Sequence, residues 1–235
     1  MLKLGQVCID KYKVNFMKSN IFLRVITGCV VFFGVLSFKA WAMEPKDAIV
    51  FAETKGKELL MAFQEEDLAQ RYQKLDEIFL RHIDVDYVAR FVIGKYWRQM
   101  SEEQKEHYKD VFVKYGLAFY KTLPLEYAKN LKYEIMGAQK EGDFVNVAAG
   151  IDVQLGNEAQ KIMLTFRLHD KSGVIKVVDV KVAESSLLLS YRSKFYQMIA
   201  ECDNEIEWFL EDLNDLATSM ENNLQQNALN QQKTP

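Results

Sequence analysis

The segment His82-Ile83-Asp84-Val85-Asp86 places an imidazole and two carboxylates at alternate positions, so an extended chain would turn all three to one side. A divalent metal can use that donor set. The same residues also describe a solvated loop leading into a helix, and spacing alone favours the loop. His107 and His169 have no partner at metal-ligand spacing. Cys202 falls on an apolar helical stripe with no nucleophile signature around it, which describes a buried structural thiol. Glu65/Glu66 and Glu102/Glu103 lie in polar helix faces, where solvation and capping account for them. The chain has no Gly-rich phosphate loop, no G-x-S-x-G and no H-E-x-x-H. These absences predict no catalytic residue, no metal and no cofactor. An enzyme acting on an apolar substrate would have Tyr96, Tyr115 and Asp152 as its candidates.

These side chains are carried by 235 residues, 49% of them hydrophobic, enough to build one sizeable core. Met17 opens a segment with the layout of a secretory signal peptide. Lys18 and Arg24 are its basic start, Val25–Leu36 its short apolar run, and Ala40-Trp41-Ala42 its small-residue cleavage site. That run is too short for a comfortable membrane span. Residues 1–42 are therefore expected to be a leader cut after Ala42, exporting the rest. Residues 43–235 hold 24 Lys+Arg against 32 Asp+Glu, a net charge of −8. An acidic domain is a poor partner for nucleic acid, which selects basic stripes. Cys202 is the one cysteine beyond the leader, so no intramolecular disulfide is possible there.

No Gly/Ser linker or repeat interrupts residues 46–220, which predicts a single domain over 43–220 followed by a polar, disordered tail, 221–235. The first half has helical periodicity. Leu68, Tyr72, Leu75, Ile78, Phe79 and His82 recur at three- and four-residue spacings, and a second helix is predicted from Val85 to Trp97. Ser101-Glu102-Glu103-Gln104 has the form of a capping box ahead of an aromatic stripe through Tyr108, Phe112, Tyr115 and Phe119. Near Leu131 the period changes to two. Four alternating runs, separated by Gly142-Asp143, Gly156-Asn157 and Ser172-Gly173, predict an antiparallel meander. Helical periodicity returns from Leu188. The fold class expected is α+β: a four-stranded, curved antiparallel sheet covered on one side by helices. Small residues on the second strand face large aromatics on the helices. That combination either interdigitates into a dry core or leaves a cavity for an apolar ligand.

Two stretches, IDVDYVARFVIGKYWRQMSEEQKEHYKDVF (83–112) and DVKVAESSLLLSYRSKFYQMI (179–199), carry a resemblance to a known family. Ala89-Arg90, Gly94-Lys95-Tyr96-Trp97 and Ser101–Gln104 in the first, with Asp179-Val180, Ser186-Leu187, Tyr191-Arg192 and Phe195 in the second, resemble the MlaC family. Its members are periplasmic phospholipid-binding proteins of the Mla pathway, also called toluene-tolerance auxiliary components of an ABC transporter. The chain departs from the family pattern at Ala183-Glu184-Ser185, where Glu-Gly-Val is usual, and at Val177-Val178, where an aromatic precedes the Asp-Val pair.

The resemblance implies a monomeric carrier that holds phospholipid acyl chains in an apolar cavity between sheet and helices. It implies movement of lipid between outer and inner membranes, maintaining outer-membrane lipid asymmetry. The implied partners are an inner-membrane ABC transporter complex and an outer-membrane lipoprotein complex. On this reading the pocket is expected to use Phe91, Tyr96, Trp97, Phe112, Tyr115 and Phe119 from the helices. The strands would add Val147, Ala149, Ile151, Leu164, Phe166, Val180 and Val182, and the junction after them Leu187, Leu188 and Tyr191. Arg90, Lys95 and Arg98 can steer headgroups or partners, or simply solvate a helix. An isomerase or hydrolase on a similar cone-shaped α+β scaffold is the alternative, and an interaction domain with a filled core is a third reading.

Overall fold

Pro45, at the first helical position where a missing N–H costs nothing, opens α1 (Pro45–Phe63) in a computed structural model that describes residues 43–122, 132–155 and 158–232. The expected leader and its cleavage point lie outside the described residues. α2 (Leu68–His82) begins at Asp67, whose carboxylate accepts from the Gln70 amide at 2.8 Å. α3 (Val85–Ile93) begins at Asp84 and tightens into a 3-10 turn over Gly94–Arg98. α4 (Glu102–Lys121) carries the capping box read from its sequence, with Ser101 and Gln104 bonded reciprocally at 3.1 and 2.9 Å.

The strands β1 (Lys132–Glu141), β2 (Phe144–Leu155), β3 (Glu158–Lys171) and β4 (Val174–Val182) form a consecutive antiparallel meander. A fifth, two-residue strand β5 (Ser185–Ser186) pairs back onto β4 and leads directly into α5 (Leu187–Glu201) and α6 (Ile206–Gln232). The curved sheet with helices is the α+β fold expected, with one short strand more. Two further features differ from expectation. α1, not distinguished in the sequence as a separate helix, covers β1 and β2. The last helix also continues to Gln232 through the segment expected to be disordered, where neither Gly nor Pro interrupts it.

Two apolar clusters dominate the packing. In one, Val145, Val147 and Leu168 on the sheet meet the small side chains Ala48 and Ala52 of α1. Gly56 continues that small-residue stripe. A Cβ there would lie 2.5 Å from the Tyr133 ring, whose hydroxyl donates to the Ala52 carbonyl at 3.3 Å. In the other, α3, α4, α5 and α6 pack around Tyr108, Phe195, Phe209 and Leu213, with Tyr108 Oη donating to the Ala89 carbonyl at 2.8 Å.

Gly94, Lys95 and Arg192, three of the residues that carry the family resemblance, meet at one joint between α3 and α5. Arg192 Nη1 donates to the Phe91 carbonyl at 3.3 Å, and Arg192 Nη2 lies 3.1 Å from Tyr196 Oη. Tyr196 Oη also accepts from the Lys95 amide at 3.1 Å. This approach requires Gly94: it has φ +54°, and a Cβ would stand 2.8 Å from Arg192 Nη2 and closer still to Tyr196 Oη. Gly94→Ala is therefore expected to destabilise the protein by about 2–3 kcal/mol, through backbone strain and displacement of Arg192. Urea unfolding measures this, and a change under about 0.5 kcal/mol would contradict the joint.

Candidate functional site

Where these clusters meet, the packing leaves a cavity of about 380 Å3. α1 contributes Phe51, Ala52, Leu59 and Phe63, and α2 contributes Leu75, Ile78 and Phe79. α4 adds Phe112, Tyr115, Gly116, Phe119 and Tyr120, the sheet adds Tyr133, Phe166, Leu168 and Val177–Val180, and α5 adds Leu187, Leu188 and Tyr191. Hydrocarbon and aromatic surface predominates, with Lys55, His82 and Asp179 as its ionisable side chains other than tyrosines. A second groove, on the outer side of α1 and α2, is lined by Glu53, Lys57, Glu58, Lys74, Glu77 and Arg81, a charged surface unsuited to an apolar ligand.

The β4–α5 junction shapes one wall. Asp179, 8% exposed, accepts from Ser186 Oγ at 2.7 Å and from the Leu188 amide at 3.0 Å. Ser186 is also the N-cap of α5, its Oγ accepting from the Leu189 amide at 3.1 Å. The carboxylate thus sits at the positive end of α5 and pins the turn that brings Leu187, Leu188 and Tyr191 to the cavity.

Eight of the sixteen pocket residues expected from the sequence line this cavity: Phe112, Tyr115, Phe119, Phe166, Val180, Leu187, Leu188 and Tyr191. The other eight do not. Phe91 packs beneath the Arg192 guanidinium and stacks on Tyr87. Tyr96 donates to Asn204 Oδ1 at 3.0 Å, and Trp97 lies among Arg90, Lys105 and Lys109. Val147 and Ala149 are fully buried on the sheet face that α1 covers, so that surface is core. Ile151, Leu164 and Val182 lie farther along the strands, outside the lining, with Val182 39% exposed. The wall built by α1 and α2 went unread. Its signal was the helical spacing of Phe51, Ala52, Lys55, Gly56, Leu59 and Phe63.

The candidate donors for a metal do not converge. His82 turns its ring edge to Phe51, Asp86 is exposed, and Asp84 binds His169 Nε2 at 2.8 Å and Lys171 Nζ at 2.9 Å. Among the described residues no cluster can hold a metal ion. Cys202 is buried 3.3 Å from Asp212 Oδ2, and burial together with that carboxylate pushes its thiol up to about 11. Tyr96, Tyr115 and Asp152 are also dispersed: only Tyr115 reaches the cavity, its hydroxyl 3.0 Å from Lys194 Nζ, and Asp152 is exposed.

The family model of the MlaC protein matches residues 57–215, most of the described fold. The chain belongs to the MlaC family. No curated protein matches it. Among solved structures it is similar to the phospholipid-binding protein from Ralstonia solanacearum, determined in complex with a phospholipid. The TM-score is 0.60 at 18% identity, covering 73% of this chain and 97% of that one. At such identity the likeness is one of fold. For the MlaC motifs, the structure adds a division of labour: Gly94, Lys95 and Arg192 lock α3 to α5, while Asp179, Ser186 and Tyr191 shape or line the cavity.

Asp179→Ala leaves Ser186 Oγ and the Leu188 amide without their partner, and should cost about 2–4 kcal/mol in urea unfolding; a neutral effect would remove Asp179 from the junction. Asp84 gives a pH signature. Burial opposes its charge, but hydrogen bonds from Lys171, the Tyr87 amide and His169 outweigh burial and hold the carboxyl below its usual range. A depressed folded-state pKa gives stability that is present above the unfolded value and lost as pH falls through the folded one. Asp84→Asn is accordingly expected to lose less stability than wild type between pH about 7 and about 3, by parallel unfolding curves; equal losses would show that Asp84 carries no such linkage.

Proposed function

We propose that this protein is a periplasmic carrier that shelters phospholipid acyl chains in its apolar cavity and moves lipid between the outer and inner membranes. The observation that carries this reading is a cavity lined by phenylalanine, tyrosine, leucine and valine from five helices and the sheet, in a chain with the MlaC fold. Such a lining gives no directional recognition to a polar substrate but suits a hydrocarbon chain. Each methylene removed from water is worth about 0.8 kcal/mol, so burying about 12 methylenes of an acyl chain supplies on the order of 10 kcal/mol gross. Binding on that scale permits aqueous transit and makes unassisted release slow. Handover therefore calls for partners at each membrane, an ABC transporter complex at the inner and a lipoprotein complex at the outer one. The phospholipid held by the Ralstonia solanacearum protein of the same fold supports the choice of cargo. The signal-peptide layout of residues 17–42 supports the address.

The test is direct. Protein purified from the periplasm should release phospholipid on solvent extraction, detected by mass spectrometry, and delipidated protein should reload from vesicles. Val180→Trp, which fills part of the lining, should lower loading several-fold while costing less than about 2 kcal/mol of stability. Protein that contains no phospholipid and takes none up would end the carrier reading.

A further inference from the structure

The cavity, at about 380 Å3, is small for the cargo proposed above. A methylene takes up about as much room as a water molecule in the liquid, roughly 30 Å3, so the cavity holds about 12 of them. A membrane phospholipid carries two chains. Each crosses half of a hydrocarbon core about 30 Å thick, which takes about a dozen methylenes or more. One chain fills the cavity, and the second finds no room in it. Nor do the walls part at low cost. α1 is held close to the sheet where Gly56 meets the Tyr133 ring, and α5 is held by Asp179 at its start and by Arg192 farther along.

Beyond the lining, the same face of the sheet continues. Phe166 and Val180, which line the cavity, are partners across β3 and β4, and two residues farther along so are Leu164 and Val182. The period of two puts both pairs on one face. Leu164 is half-buried and Val182 is 39% exposed. Leu187 joins this strip to the cavity: it belongs to the lining yet is 38% exposed, so it stands at the opening. The backbone beside the strip is already paired. Val182 is the partner of Ser185 in β5, and the Ala183 amide donates to the Met163 carbonyl at 2.8 Å. The strip therefore offers hydrocarbon surface, open to water and continuous with a site for hydrocarbon. The two chains of a phospholipid leave neighbouring glycerol carbons, so when one enters the cavity the other starts at its mouth.

We infer that a diacyl phospholipid is seated unevenly: one acyl chain fills the cavity, and the second lies over Leu164 and Val182, on the open sheet strip that begins at Leu187. The inference rests on the carrier reading and gives it a stoichiometry of one enclosed chain. The outer chain stays within reach of a receiving surface while the inner one is still sheltered, so handover can begin before the cavity opens.

The test uses protein purified from the periplasm and delipidated. It is loaded from phosphatidylethanolamine–phosphatidylglycerol vesicles and, separately, with lysophosphatidylethanolamine, which has a single chain. Val182→Gln makes the strip polar without adding charge. It should lower diacyl uptake by about 5- to 10-fold and leave lysophospholipid uptake unchanged, both measured by mass spectrometry of bound lipid. In wild type, the Val182 methyl signals in 13C NMR should shift on diacyl loading and stay in place on lysophospholipid loading. Undiminished diacyl uptake by Val182→Gln overturns the uneven seating, as does a loss shared by the lysophospholipid. Should Val182→Gln fail to fold, the methyl comparison in wild type decides alone: signals that shift with both lipids, or with neither, overturn it. Wild type that takes up only one of the two lipids overturns it as well. Wild type that takes up neither is a different result, and ends the carrier reading itself.

Discussion

The carboxylate of Asp179 is the constraint on which the cavity depends. It accepts a side-chain hydroxyl and a backbone amide from the seven residues that follow β4, so the chain can reverse onto β5 and start α5 almost without a loop. A looser connection would let α5 drift from the sheet, and the wall built by Leu187, Leu188 and Tyr191 would drift with it. A buried carboxylate is costly unless its acceptors are filled, and here two donors and a helix N-terminus fill them. The joint between Arg192 and the end of α3 acts on the same helix from its far side. Between these two attachments α5 has little freedom to rotate or slide.

The cavity persists because two packing solutions meet there without merging. On the sheet side, alanines and Gly56 let α1 approach closely, so that region closes into a dry core. On the helical side, tyrosines and phenylalanines in α4, α5 and α6 satisfy one another edge to face, as Tyr115 with Phe195 and Phe195 with Phe209. Rings committed to that cluster cannot also reach across to β3 and β4. The remaining volume is bounded by side chains whose packing is already saturated on the other side.

Much of this was legible in the sequence. The capping box at Ser101, the period of two after Leu131 and the helical period returning at Leu188 each have a local cause, and local causes survive into the fold. What could not be read was which buried surface faces a cavity. Ala149 and Val180 both sit on apolar faces of strands, and only the path of α1 across β1 and β2 makes one core and the other lining. Phe91, Tyr96 and Trp97 misled for a related reason: large aromatics on the helices suggested ligand contact, whereas Phe91 lies under Arg192, Tyr96 binds Asn204 and Trp97 lies among Arg90, Lys105 and Lys109. Leu187 and Leu189 show the limit in the quoted leucine run, since one lines the cavity and the other, 55% exposed, does not.

The bonds that hold the cavity's walls in position join residues far apart along the chain. Tyr133 reaches Ala52 across 81 residues, and Arg192 reaches Phe91 across 101. Closing such loops costs entropy before any contact rewards it, so assembly of the walls is slow compared with formation of the helices themselves. The α1 wall is made first in synthesis and has no sheet to rest on until most of the polypeptide has followed. During that interval its apolar face is open to water, which makes the nascent chain a natural client for whatever keeps newly made polypeptides from aggregating.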